Sequence, residues 1–180
     1  MKNKGALWIT TTAIFVALLI GAQVATRPFG QFVTGSLVNL ILIVAVMTSG
    51  LASGIVVAIL SQIFAQLFGI GPPFPLIMPF IIAGNATLVL IWHVMGKIKT
   101  ANKHVMRIAA TILAAVGKFI VLYFGVVHVV VPFLIDAPPQ VAERISYMFS
   151  YPQLITALIG GVIALAVLPV LEKFKAAKRD

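Results

Sequence analysis

The chain is 180 residues long, 61% hydrophobic and only 9% charged, with a net charge of +9 and no cysteine. A soluble domain carries roughly 25% charged residues, so this composition excludes a water-soluble fold and leaves lipid as the solvent for the apolar surface. Disulfides and thiolate metal sites are excluded too, and the positive balance, which on a soluble chain would suggest nucleic acid, here marks cytoplasmic loops, so no nucleic-acid partner is expected.

A helix needs roughly 20 apolar residues to cross a ~30 Å hydrocarbon core. The first predicted span covers 6–26, behind Lys2 and Lys4. A signal peptide also begins with a basic region, but this apolar stretch is longer than a typical h-region. Arg27-Pro28-Phe29-Gly30-Gln31 breaks the pattern. The second and third spans, 32–47 and 51–68, meet at the tight turn Thr48-Ser49-Gly50. Both are short, which suits little tilt or an end inside the interface. Pro72, Pro73 and Pro75 then forbid a helix. The fourth span is 76–95, followed by a basic loop with Lys97, Lys99, Lys103 and Arg107. The fifth is 108–131, closed by Pro132. The longest loop, 133–149, holds Asp136, Glu143 and Arg144, with a short interfacial helix expected over 141–148. The sixth span is 152–168, and a basic tail follows from Glu172.

Placing the amino terminus inside puts ten basic residues on the inner face: Lys2, Lys4, Lys97, Lys99, Lys103, Arg107, Lys173, Lys175, Lys178 and Arg179. The outer face receives Arg27 and Arg144 alone. This asymmetry predicts an all-α, six-transmembrane-helix bundle, a single membrane domain with both termini cytoplasmic.

Two ladders of small residues stand out. Ala13, Ala17, Gly21 and Ala25 recur every four residues and line one face of the first helix. Small residues let helix backbones approach closely in lipid. They serve either packing within this chain or docking to a separate membrane subunit. In the third span, Gly50, Gly54 and Ala58 give way to Gln62 and Gln66. Those amides are expensive in lipid without partners, so this ladder is expected to face the bundle interior.

Lys118 lies in the middle of the fifth span, about 16 Å along the helix from Arg107 and about 20 Å from Pro132. Its side chain is too short to snorkel to either surface. An intramembrane charge is a functional-site hypothesis by default. Ala110 and Ala114 share its face and permit close packing around it. No Asp or Glu falls in any span, so the lysine is either neutral, or charged and satisfied by carbonyls, water or an anionic ligand. A cationic substrate is disfavoured, because nothing acidic waits to receive it. Asn39, Asn85, Tyr123, His128 and Gln153 are further polar residues within or beside the spans. His93, Trp8 and Trp92 fall at inner ends, where an aromatic belt accounts for the tryptophans. Asn85 with Thr87 reads as a glycosylation sequon, discounted because it lies within a span.

No phosphate-binding glycine loop is present, so an ATPase of this chain's own is excluded, as is a His-Glu-x-x-His zinc site. No cofactor and no metal are expected. With no acid in the membrane, proton coupling through Asp or Glu is disfavoured.

Several features together resemble the substrate-binding S components of energy-coupling factor (ECF) transporters, bacterial and archaeal importers of vitamins and related micronutrients. The resemblance covers essentially the whole chain. It rests on the length and six-span topology, on Ala13-x-x-x-Ala17, and on the tight join of spans two and three. Gly71-Pro72-Pro73-Phe74-Pro75-Leu76-Ile77-Met78-Pro79 is similar to the connection between the third and fourth spans of such proteins. Tyr151-Pro152-Gln153-Leu154-Ile155-Thr156-Ala157-Leu158-Ile159-Gly160-Gly161 is similar to their last span. The resemblance implies a plasma-membrane complex with a second membrane subunit and two cytoplasmic ATPases. It places Ala13, Ala17 and Gly21 at the membrane partner. It also implies a small-molecule pocket on the outer side, where Asn39, Phe74, Asn85, Lys118, Tyr123, His128 and Gln153 fall. No signature assigns thiamine, riboflavin, biotin, folate or cobalamin, and the first outer loop is short for a lid.

The expected function is therefore substrate capture for an ATP-driven micronutrient importer, with no enzymatic step of its own and Lys118 pairing with a carboxylate or other anionic group. A self-contained anion carrier or channel, with Lys118 lining the path, is the first alternative. A small membrane enzyme or assembly factor using Ser61 and His93 is the second.

Overall fold

The computed structural model of the protein describes residues 4–99 and 101–177. All regular structure among them is helical. Helix α1 spans Lys4–Thr26, α2 Gly30–Ser49, α3 Leu51–Leu67, α4 Met78–Lys97, α5 Lys103–Leu122, α6 Pro139–Met148 and α7 Tyr151–Ala177. A π-helical segment, Tyr123–Leu134, prolongs α5. Two reversals use glycine in a conformation that L side chains rarely adopt. Gly30 (φ 80°) follows the short 3-10 turn Arg27–Phe29, and Gly50 (φ 90°) forms the whole connection between α2 and α3. A side chain at either position would strain the backbone.

Four helical stretches are long and apolar enough to cross a membrane: Gly5–Ser49, which contains both α1 and α2, Pro75–Lys97, Lys103–Leu134 and Pro139–Phe174. Helix α3 is apolar and shorter. The bundle also wears its hydrophobic residues outside. Leu18, Ile112, Leu113 and Val162 are all more than half exposed. In water that surface would aggregate; in lipid it is solvated. The fold is thus an all-helical bundle suited to a multi-pass place in a membrane.

Helix α2 sits centrally and packs against α1, α3, α4 and α7, while α4, α5 and α7 close the other side. The main core lies between these helices and includes Leu19, Leu42, Ile43, Val57, Leu88, Val89 and Trp92. A smaller apolar cluster of Ile77, Leu122, Val126, Val130, Ile145 and Phe149 lies where the 68–77 connection, the π segment and α6 meet. The bundle therefore has two distinct ends. The carboxyl ends of α2, α4 and α7 meet the start of α5 at one. The starts of α2 and α7 meet α6 at the other, where the Gln31 and Gln153 amides both donate to the Met148 carbonyl (2.6 and 3.1 Å).

The helices overrun several expected boundaries, each for a visible reason. Helix α5 starts at Lys103, because the Asn102 side chain caps it by accepting from the backbone N–H groups of His104 and Val105 (3.1 and 3.2 Å). Lys103 and Arg107 consequently belong to a helix and not to a loop. The π segment carries the chain past Pro132 to Leu134, in place of a stop at Val131. Helix α7 continues through Pro169 to Ala177, since a proline breaks one backbone bond that neighbouring groups can compensate. The expected short helix before the last span is α6, two residues longer at its start. Lys2, Lys178 and Arg179, three of the predicted inner cations, lie outside the described residues, as do the side chains of Lys4 and Lys175.

Candidate functional site

Lys118 is buried to 3% exposure on α5. Its ammonium donates to Asn39 Oδ1 on α2 at 2.6 Å and to Asn85 Oδ1 on α4 at 2.8 Å. Both asparagines are themselves buried. The sequence placed these three residues on three different spans, and the fold joins them in one polar cluster.

Small residues make the convergence possible. A methyl group at Gly160 of α7 would lie 2.6 Å from the Ser36 carbonyl oxygen and 2.7 Å from Asn39 Cβ. Only glycine lets α7 approach α2 this closely. The approach brings Thr156 within 3.5 Å of Asn39 Nδ2, which donates to the hydroxyl. The Thr156 hydroxyl in turn donates to the Gln153 carbonyl (3.2 Å). On the other flank, Ala114 is fully buried one turn before Lys118. Leu122, one turn after it, is fully buried in the smaller apolar cluster and packs on Gly84, next to Asn85. The lysine cluster is therefore roofed by apolar side chains toward the α6 end.

The electrostatics are one-sided. The two partners of the lysine are neutral amides, and no ion pair among the described residues reaches it. An ammonium has three donors, and two are engaged by these amides. The Asn85 amide nitrogen is buried with no acceptor. Donor capacity thus exceeds acceptor supply at this point. A group bearing acceptor oxygens would satisfy it, whereas a cation would add repulsion.

The other expected site residues lie outside this cluster. Phe74 packs on the smaller apolar cluster. Tyr123 and His128 contact one another on the π segment, ring centroids 4.7 Å apart, with His128 Nδ1 3.3 Å from the Tyr123 carbonyl. His128 and the neighbouring Phe124 are exposed. Gln153 ties α7 to the end of α6 and reaches the cluster only through Thr156. Thr156 and Gly160 were not singled out for this role by their chemistry; the four-residue spacing from Thr156 to Gly160 on the last helix was the available signal.

The ladder on α1 faces outward. Ala13, Ala17, Gly21 and Ala25 are exposed, and nothing lies within 4 Å of where a Gly21 side chain would begin. The buried face of α1 is instead Thr12, Val16, Leu19 and Gln23, with the Thr12 hydroxyl donating to Ser53 Oγ (2.9 Å). Ala13 and Ala17 border an apolar groove of about 430 Å³ between α1 and α3. The ladder on α3 does face inward: Gly54 packs against Val46 and Val89, and Gln62 is buried. Ser61 donates to the Ala58 carbonyl of its own helix (3.3 Å), and no hydrogen bond among the described residues links it to His93. Trp92 departs from the aromatic-belt expectation. It is 1% exposed and its indole nitrogen has no partner, so it packs inside the bundle, while Trp8 is exposed.

No family model, curated protein or solved structure matches the chain.

Proposed function

We propose that the chain is the substrate-capture subunit of an ATP-driven importer of a small, acceptor-rich or anionic micronutrient. It spans a bacterial or archaeal plasma membrane six times with both termini cytoplasmic. The observation that carries this reading is the buried Lys118–Asn39–Asn85 cluster, which holds unspent donors and no acid in the middle of an apolar bundle. Such a cluster is expensive to bury for packing alone. A carboxylate entering from the α6 end would displace the apolar roof, accept from Lys118 and Asn85, and neutralise the site.

Energy comes from elsewhere, since the sequence carries no nucleotide-binding loop. The outward ladder on α1 suits the required partner. Ala13, Ala17 and Gly21 form a smooth strip where a second membrane subunit packs backbone against backbone, and that subunit couples to two cytoplasmic ATPases. The role is binding and release, with no chemical step.

The test is a mild detergent purification of the tagged chain from its own host, with mass spectrometry of the accompanying proteins and small molecules. A second membrane subunit and ATPases are expected. An Ala17→Leu variant, which places bulk on the exposed strip beside the groove between α1 and α3, should lose these proteins while retaining its thermal stability. A Lys118→Ala variant should keep the proteins and lose the bound anion. Recovery of the chain alone, although such subunits are expressed, would replace this reading with a self-contained anion carrier.

A further inference from the structure

A second constellation of cations lies at the opposite end of the bundle from α6, away from Lys118. There the carboxyl ends of α2, α4 and α7 and the first turns of α5 enclose a cavity of about 350 Å³. Its wall carries Lys97, Lys99, Lys103 and Arg107 against Glu172, the one acid on the wall among the described residues. Glu172 is already spent on Arg107, at 2.5 Å. Three exposed lysines therefore remain without a carboxylate on the cavity wall. Its floor is apolar and soft: Met47, Met95, Met106 and Ala110 surround Trp92.

Trp92 is the one aromatic side chain on this wall among the described residues. The residue is only 1% exposed, yet its indole N–H has no acceptor. A buried unmet donor is a standing penalty of roughly 1–3 kcal/mol, and native structures seldom leave one without a reason. The ring lines the cavity, so a ligand held there packs against the indole and alters its surroundings.

We propose that this cavity binds a phosphate-bearing anion. The phosphate oxygens accept from the lysines, and the methionine floor and the Trp92 ring receive the apolar part of the molecule. Basic pockets between membrane helices at the headgroup level hold anionic lipid heads in the same manner. Methionine, flexible and polarizable, adapts to acyl chains of variable shape. The two sources of such a group, a lipid phosphodiester and a free phosphate, share the charge recognition. The apolar floor favours the lipid. The site is independent of the Lys118 cluster and of the importer reading, and its loss would leave both standing.

Trp92 is also the reporter. The chain has two tryptophans, so a Trp8→Phe variant isolates Trp92 emission. The full-length variant, purified in a neutral detergent, is titrated with short-chain phosphatidylglycerol, with phosphatidylcholine of the same chain length, and with inorganic phosphate. Phosphatidylglycerol is expected to change Trp92 emission saturably, and phosphatidylcholine to have no effect. Adding Lys99→Gln and Lys103→Gln, both at exposed positions that the fold tolerates, should raise the apparent Kd by about fivefold per charge removed. Native mass spectrometry of the same samples should show one phosphatidylglycerol adduct that diminishes in the lysine variant. A saturable response to inorganic phosphate, with none to the lipid, would assign the site to a soluble phosphate compound. Equal responses to both lipids, or no response to either phosphate probe, would overturn the proposal.

Discussion

Helix α5 carries two buried cations about three turns apart, and they are satisfied in opposite ways. Arg107, near the helix start, meets a full negative charge in Glu172, whose side chain is 53% exposed. Lys118, deep in the bundle, meets only the dipoles of two neutral amides. The arginine is neutralised at the rim, where water contributes as well. The lysine's neighbourhood remains electropositive whenever it is protonated, in the part of the molecule where an isolated charge is most expensive. The contrast separates a cation paired with a carboxylate from one held only by neutral amides. It also makes the energetic consequences of removing partners unequal.

The largest effect is expected where a partner is removed and the lysine stays. Asn39→Leu leaves the Lys118 ammonium with one acceptor in an apolar interior. Breaking a buried charge away from its partner costs about 3 kcal/mol or more. Thermal unfolding in detergent should therefore show Asn39→Leu to be more damaging than either Lys118→Met or Glu172→Gln. A parent-like melting temperature would mean that water already solvates the lysine, and the contrast with Arg107 would vanish.

Removing the lysine itself should do less. Lys118→Met is close in volume and abolishes the charge, but it strands the Asn39 and Asn85 oxygens, at a cost of roughly 2 kcal/mol. The double variant Asn39→Leu with Lys118→Met removes the stranded charge and one stranded amide together. Its loss should fall short of the sum of the single losses by about 1–2 kcal/mol. Strict additivity would show that the 2.6 Å contact contributes nothing of its own.

The sequence made Lys118 legible because an unpaired cation in the centre of an apolar run is rare and conspicuous. Asn39 and Asn85 were legible for the same reason, although nothing in the sequence said that both would reach the same nitrogen. Gly160 was hidden: its role depends on a helix crossing, where its hydrogen meets the Ser36 carbonyl, and no local pattern specifies which helix will lie opposite. Tyr123 and His128 lie together on the π segment, apart from the lysine cluster, a placement hidden in the sequence because polarity within a span does not say which face a side chain takes. The small ladder of α1 was ambiguous for a related reason. Spacing defines a face, and only packing decides whether this chain or another covers it. The helix extents were foreseen to within a turn except at α5 and α7. There Asn102 supplied a cap in a stretch read as loop, and Pro132 and Pro169 failed to end helices that lipid-buried backbone has strong reason to continue.

The smallest expected effect belongs to Arg107. Glu172→Gln keeps the shape and a hydrogen-bonding oxygen while removing the charge. Because the carboxylate is half exposed, water compensates most of the lost attraction, and partly exposed pairs of this kind are worth about 1 kcal/mol or less. What remains should shrink as salt is raised toward about 1 M, where the screening length falls to about 3 Å. The Asn39→Leu effect should be insensitive to the same salt series, since ions do not reach a fully buried ammonium. Measured side by side, the two series test the contrast more sharply than either magnitude alone. A Glu172→Gln loss that is large and salt-independent would place Arg107 in the same electrostatic predicament as Lys118. A ligand at the lysine would then no longer follow from its lack of a counter-charge, since the arginine would share that predicament without a ligand.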